Sequence, residues 1–291
     1  MIPSTFDYHR PKSVSEAVKL LRKAKGSRVL AGGHSLLPMM KLRMAEPSAL
    51  IDLGGIAALR GIKKVGTKIV IGAMTTQHDL LASALIAKNL PLLHETALLI
   101  ADPQVRYAGT LGGNVANGDP GNDMPAAMLA LDATYRIAGP AKPRTVKARA
   151  FYKGSYETAL KPGEIVTAIE IPVVARQAYA YEKLKRKVGD YATAAAAVVM
   201  TVKSGKVTTC AIALTNLAPI PLLAEAAAIL MIGRAPDDAA INAAAAEARK
   251  IMDPANDTRG TPEYRISVGG TCVARALKRA AARAAGGGER K

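Results

Sequence analysis

Two short segments pair adjacent glycines with polar side chains: Ala31-Gly32-Gly33-His34-Ser35 and Thr110-Leu111-Gly112-Gly113-Asn114. Adjacent glycines allow consecutive backbone amides to point to one side, a cationic concavity suited to phosphate. The missing Cβ atoms also admit a pyrophosphate close to the main chain. The hydroxyls of Ser35 and Thr110, the His34 imidazole and the Asn114 amide stand beside the glycines as further hydrogen-bonding groups. Neither segment fits G-x-G-x-x-G or G-x-x-x-x-G-K-[ST], which disfavours a Rossmann or kinase-like phosphate site. The residues alone allow two readings: a two-loop grip on a nucleotide diphosphate, or a pair of tight turns.

The rest of the chain offers no active site of its own. No nucleophile–base pair or paired carboxylates appear, and His9, His34, His78 and His94 are scattered without ligand spacing, so no bound metal is expected. Cys210 and Cys272 are the only cysteines. Two are too few for a disulfide framework or, alone, for an iron–sulfur cluster with about four protein ligands.

Charge is the other conspicuous feature. Forty Lys and Arg against 23 Asp and Glu give a net +17. Local clusters occur at Arg22-Lys23-x-Lys25, at Lys183-x-Lys185-Arg186-Lys187 and from Arg275 to Arg290. None carries interleaved aromatics for base stacking, and no zinc-finger or basic-zipper spacing exists, so nucleic acid is not the expected partner. A solvated surface with patches facing an acidic partner fits better. Met1 to Arg10 has no apolar signal core, and the longest weakly polar run, Tyr191 to Val202, is shorter than the roughly 20 residues of a spanning helix. The expectation is a cytoplasmic chain. With no Trp and only two Phe, its core must be aliphatic and alanine-rich.

The elements that position the two segments can be read locally. Ser13-x-x-Glu16 opens a helix through Leu21, stopped by Gly26. Arg28 to Ala31 and Ala49 to Leu53 read as strands, and Ile62 to Ala73 as a hairpin turning at Gly66-Thr67. Thr76-x-x-Asp79 begins a helix through Ala87, and Pro91 opens another to about Ile100. Gly109 to Gly121 reads as a glycine-rich loop, after which Asp123 caps a helix containing Pro125. Thr134 to Ala138 and Glu164 to Ile171 close the region as strands. Beyond about residue 175 come three strand-like runs, Tyr179 to Lys187, Tyr191 to Val202 and Lys206 to Asn216. Helices come next at Leu222 to Ile232, Asp237 to Met252 and Glu263 to Ala285. The class is α+β, in two domains.

Five stretches in order, beginning with Phe6-Asp-Tyr-His-Arg-Pro11, carry a family resemblance. Ala31 to Arg43, Gly72-Ala-Met-Thr-Thr-Gln-His78 and Ala101 to Asn114 come next, then Ala116-Asn-Gly-Asp-Pro-Gly-Asn-Asp-Met-Pro125. Tyr181 to Lys187 and Gly189 to Ala194 extend the likeness into the second domain. Together they resemble the FAD-binding medium subunit of molybdenum hydroxylases, most of all its carbon monoxide dehydrogenase branch. The resemblance implies a two-part FAD-binding domain of the vanillyl-alcohol-oxidase/PCMH type over 1–175. A smaller domain of a three-stranded antiparallel sheet and helices would occupy 176–285, and a tail 286–291. It further implies that the amides from Ala31 through Ser35, and those of Leu111, Gly112, Gly113 and Asn114, cradle the FAD diphosphate. Thr110 adds a hydroxyl, Asp123 binds a cofactor hydroxyl, and Tyr191 lies against the flavin. For Asp123 a plain helix cap, for Tyr191 a core tyrosine and for His34 a residue that pins the loop stand as alternatives. By the same likeness no catalytic residue lies on this chain. [2Fe–2S] clusters sit on a small subunit and a molybdenum cofactor on a large one, in a dimer of heterotrimers. FAD passes electrons to an external acceptor such as a quinone or cytochrome, with peripheral attachment to the cytoplasmic membrane.

Overall fold

The computed structural model describes residues 2–286, so the tail expected at 286–291 lies, past Gly286, outside the described residues. The chain opens with β1 (Asp7–His9), α1 (Val14–Lys23), β2 (Arg28–Leu30), α2 (Leu36–Lys41) and β3 (Ala49–Asp52). The three strands pair in parallel in the order β1-β3-β2. α1 begins where its cap signal places it, the Glu16 amide donating to Ser13 Oγ at 3.2 Å. The Glu16 carboxylate reaches back one residue further than a capping box requires, accepting from the Lys12 amide. Its Ala17 and Val18 bury against Ile51, Leu53, Ile56 and Leu59.

A second sheet comes next. Its elements in chain order are β4 (Ile62–Val65), β5 (Lys68–Gly72), α3 (Gln77–Ala82), α4 (Ala84–Asn89), α5 (Pro91–Leu98), α6 (Pro103–Ala108), α7 (Leu111–Asn117) and α8 (Asp123–Ala130). Then come β6 (Thr134–Ala138), β7 (Arg144–Lys147), β8 (Tyr152–Gly154), β9 (Glu157–Thr158) and β10 (Ile165–Pro172). The antiparallel order is β4-β5-β10-β6-β7, with β8 and β9 a separate ribbon. Three local expectations change here. The helix read from Thr76 to Ala87 is two helices, because the Ser83 hydroxyl caps the Ile86 amide at 3.3 Å and starts α4 afresh. The glycine-rich loop is mostly helix: Thr110 caps α7, its hydroxyl accepting from the Gly113 amide at 3.0 Å. Burial of Leu111 and Val115 in the core outweighs the poor helix propensity of Gly112 and Gly113. The cap of α8 is Asn122, and Asp123 is the first helical residue with its side chain engaged elsewhere.

The remaining elements are β11 (Ala178–Leu184), β12 (Ala194–Lys203), β13 (Lys206–Thr215), β14 (Leu222–Leu223), α9 (Glu225–Ile229), α10 (Asp238–Arg249) and α11 (Pro262–Ala284). The sheet is antiparallel with four strands, not three, since Leu222 and Leu223 pair with Leu214 and Ala213. Pro219 and Pro221 hold the backbone extended just before them, which delays the expected helix to Glu225. Along β12 the side chains alternate between two cores. Ala195, Ala197 and Val199 join the core of the preceding unit, while Ala194, Ala196, Val198 and Met200 pack with α10 and α11. A strand covered on both faces reads as an unbroken apolar run. The second domain's sheet is thus the shared wall between the two units.

Candidate functional site

The first loop leaves β2 after Leu30 and enters α2 after Ser35. Gly33 takes φ +78°, the left-handed region open to glycine. Among the described residues, the amides of Gly32, Gly33, His34 and Ser35 have no protein acceptor. His34 is exposed, and the Ser35 hydroxyl makes no cap bond to α2. Four free donors around one left-handed glycine leave this backbone open to an anionic group.

The second segment is different. Its amides are all engaged: Leu111 to the Thr75 carbonyl at 2.9 Å, Gly112 to the Ala73 carbonyl at 2.8 Å, Gly113 to Thr110 Oγ1 and Asn114 to the Thr110 carbonyl at 3.0 Å. An amide cradle at Leu111 to Asn114 is therefore not what the structure provides, and the Thr110 hydroxyl acts as a helix cap. The glycines here serve contact between chains of backbone. A Cβ on Gly112 would lie 2.5 Å from the Ala73 Cβ, one on Gly113 3.1 Å from the Ala31 Cβ, and one on Gly32 2.2 Å from the Ala108 carbonyl oxygen. The two segments are close neighbours, Gly113 lying against Ala31 and Gly32 against Ala108 and Gly109, while Gly112 packs on Ala73.

What the second segment offers is side chains. Asn114 Oδ1, Asn117 Nδ2 and both amide atoms of Gln77, which is 1% exposed, are buried without a partner among the described residues. Buried polar groups are almost always hydrogen-bonded, so these atoms are open to a polar partner from outside the protein. Gln77 and Asn117 escape a reading by sequence. Gln77 is the first residue of a capped helix, and nothing in the local pattern tells that it points inward.

The remaining two expected residues lie at the seam between domains. The buried Asp123 carboxylate accepts from the Tyr181 hydroxyl and the Lys183 ammonium, each at 2.7 Å, and Lys183 also reaches the Leu99 carbonyl at 3.2 Å. Burial raises the Asp123 pKa above the usual carboxylate range, with Lys183 pulling the other way. Part of the expected partner-facing charge is consumed inside the molecule. The Lys183 side chain is buried, and Glu95 takes Arg279 at 2.8 Å, Arg283 at 2.7 Å and the Tyr181 amide at 2.6 Å. Tyr191 is not a core residue: it is 41% exposed, ahead of β12. A Cβ on Gly121 would lie 3.0 Å from its ring, and the Arg259 guanidinium stands 5.8 Å from the ring centroid. Burial and Asp119 raise the Tyr191 pKa, and the nearby Ser35 hydroxyl opposes them. Tyr156, beside the same Asp119, is pushed up to about 12, mainly by burial. The fold thus brings the first loop, the segment before α8 and Tyr191 into one place.

Among the described residues no three His, Cys, Asp or Glu side chains converge as metal ligands, and no helix is long and apolar enough to cross a membrane. Comparison with known proteins is extensive. Residues 4–174 match the FAD binding domain in molybdopterin dehydrogenase, and residues 179–280 the CO dehydrogenase flavoprotein C-terminal domain. The chain is 57% identical to the carbon monoxide dehydrogenase medium chain of Afipia carboxidovorans, over 98% of this chain and 99% of that one. The corresponding chain of Hydrogenophaga pseudoflava is 50% identical, over 98% and 100%. A crystal structure of a Cu,Mo-CO dehydrogenase in its cyanide-inactivated form superposes with a TM-score of 0.96 at 56% identity, covering 97% of this chain and all of that one. Free amides on one loop, orphaned amide side chains on the next and these matches agree: the chain belongs to the FAD-binding flavoprotein family of the molybdopterin dehydrogenases.

Proposed function

We propose that this chain is the FAD-carrying electron-transfer subunit of a molybdenum-containing carbon monoxide dehydrogenase. In this reading CO and water become CO2, two protons and two electrons on a large molybdenum subunit. The electrons cross the [2Fe–2S] clusters of a small subunit to reach this chain, which hands them to an external quinone or cytochrome. The observation that carries the choice of substrate is the identity of 57% and 50% to two CO dehydrogenase medium chains. A glyceraldehyde dehydrogenase medium chain stands at 35% and a nicotine 6-hydroxylase medium subunit at 32%. The assembly is a dimer of heterotrimers in the cytoplasm, associated with the inner face of the membrane.

Residues 1–175 bind the cofactor and residues 176–285 cover it. The amides from Gly32 to Ser35, with Ala31 and His34 at the entrance, hold the diphosphate. Thr110, Leu111, Gly112 and Gly113 form the wall behind it, while Gln77, Asn114 and Asn117 turn their unpaired amide atoms to the cofactor. Asp123 accepts from a cofactor hydroxyl with the lone pairs that Tyr181 and Lys183 leave free, a carboxylate having about four acceptor positions. Tyr191 covers the ring system with an uncharged aromatic face. FAD, when bound, supplies the electron-carrying chemistry; the protein binds it, orients it and keeps water from it. The background of +17 favours a dianionic diphosphate over competing neutral ligands.

The test is to purify the chain with its partner subunits and quantify flavin. One FAD per chain, bleached on admission of CO, is the expected result. A stoichiometric complex without FAD ends the cofactor reading, and bleaching by an aldehyde or a purine but not by CO ends the choice of substrate.

A further inference from the structure

The segment beyond the first loop exposes several apolar side chains. α2 starts directly after Ser35 and ends in a turn in which Arg43 takes φ 55° and the Met44 amide returns to the Met39 carbonyl at 2.9 Å. This turn presents Leu42, 55% exposed, and Met44, 70% exposed, with Leu37 also exposed on the helix. The N-terminal segment joins the same side: Ser4 Oγ donates to Glu46 at 2.8 Å, and Ile2 and Phe6 flank it with their side chains in solvent. Lys41 and Arg43 stand among these residues, exposed and without an ion pair among the described residues. Exposed apolar side chains, a methionine among them, interleaved with these cations have the make-up of a protein–protein interface.

We propose that this face, built by α2 and the turn to Met44, docks the iron–sulfur subunit through an apolar, acid-rimmed surface on that partner. The inference rests on reading the adjacent loop as the flavin cradle. Its support is continuity. This chain has two cysteines and cannot hold a cluster by itself, so electrons enter from another chain. Electron transfer through protein falls steeply with distance, so that chain must sit against the cradle. The helix that carries the patch starts directly after the cradle, and its Leu37 side chain lies against Gly33. Val188, 88% exposed in a polar loop with Lys187 and Asp190, is an exposed apolar side chain outside this segment and serves as the control position.

The experiment compares Leu42→Glu/Met44→Glu with Val188→Glu, each co-produced with the partner subunits as full chains. The double variant is expected to keep one FAD per chain and to bind the iron–sulfur subunit about tenfold or more weakly, the scale of losing a buried anchor. Its flavin should no longer bleach with CO while still bleaching with dithionite. Val188→Glu should behave as wild type in all three measurements. Wild-type association of the double variant overturns the proposal, as does equal weakening by Val188→Glu. Loss of FAD from the double variant overturns it as well, since the patch would then support the cradle and not a partner. Unchanged binding of the iron–sulfur subunit together with a loss of self-association would assign the face to a second copy. If the wild-type chain carried no FAD, the cofactor reading would fail, and the association measurement would still decide the docking face.

Discussion

The two glycine pairs look alike in sequence and do opposite things in the fold. At Gly32 to Ser35 the backbone is free and the side chains are incidental. At Leu111 to Asn114 the backbone is fully engaged and the side chains, with Gln77 beside them, are what remains unpaired. The difference lies in the backbone around each pair. Gly33 breaks regular structure with a left-handed residue, so its neighbouring amides have no carbonyl to meet. Gly112 and Gly113 lie inside the first turn of a helix that Thr110 has already capped. A double glycine is thus a permit for close approach, and its surroundings decide whether ligand or protein uses it.

The sharpest way to break this contrast is Gly33→Val. A β-branched side chain at φ +78° would meet Leu37 Cδ1 at 2.9 Å and force the loop out of its left-handed turn. Strain of about 1–3 kcal/mol, felt only where the donors converge, should weaken FAD binding roughly 10- to 100-fold. Flavin titration of the apo-protein reads this directly, and unchanged affinity would mean that the free amides hold nothing. Gly112→Ala is the counterpart. Its new methyl falls 2.6 Å from the Ala73 carbonyl oxygen, an overpacking worth about 1–3 kcal/mol of stability. The effect should emerge as a lower Tm in the apo-protein, whether or not FAD is added afterwards. A variant that melts normally but loses flavin would return the second loop to the role of an amide cradle.

How far these distinctions can be read in sequence depends on the range of the interaction. Ser13 and Thr76 act on neighbours a few residues away, and the apolar run of β12 shows its two-sided burial in its own composition, so each is legible. The glycine pairs are legible as sites of close approach, without saying what approaches. Asp123 shows the limit: its partners Tyr181 and Lys183 lie 58 and 60 residues on, on another sheet, and no spacing rule connects them. Arg279 and Arg283 read as a free basic face because Glu95, which neutralises them, is more than 180 residues away. The helix at Leu111 is hidden by two glycines whose propensity argues against it, and only the Thr110 cap and the core explain it.

Gln77→Met tests the side-chain half of the contrast with effects of opposite sign. Methionine keeps the length and removes two buried, unpaired polar atoms, which should raise the stability of the apo-protein by about 1 kcal/mol. The same change should weaken FAD binding about tenfold, if those atoms pair with the cofactor. Thermal unfolding of the apo-protein and flavin titration measure the two separately. A variant that is stabilised and binds FAD normally would leave Gln77 as an unexplained buried amide.

The smallest effect separates the two uses open to Thr110. Thr110→Val preserves shape and deletes the hydroxyl that caps the Gly113 amide. If the hydroxyl is only a cap, the apo-protein should lose about 1 kcal/mol and the affinity for FAD should fall no more than about twofold. The freed Gly113 amide would even become a donor on the cradle side, offsetting part of any lost contact. If the hydroxyl instead turns to the cofactor when it binds, the ranking reverses. The apo-protein would lose the same ~1 kcal/mol, and binding would drop by a further factor of about ten, because the ligated state would also miss its hydroxyl donor. The two outcomes differ only in the flavin titration, so the comparison of apo stability with affinity decides whether the second glycine pair is a wall or a second hand.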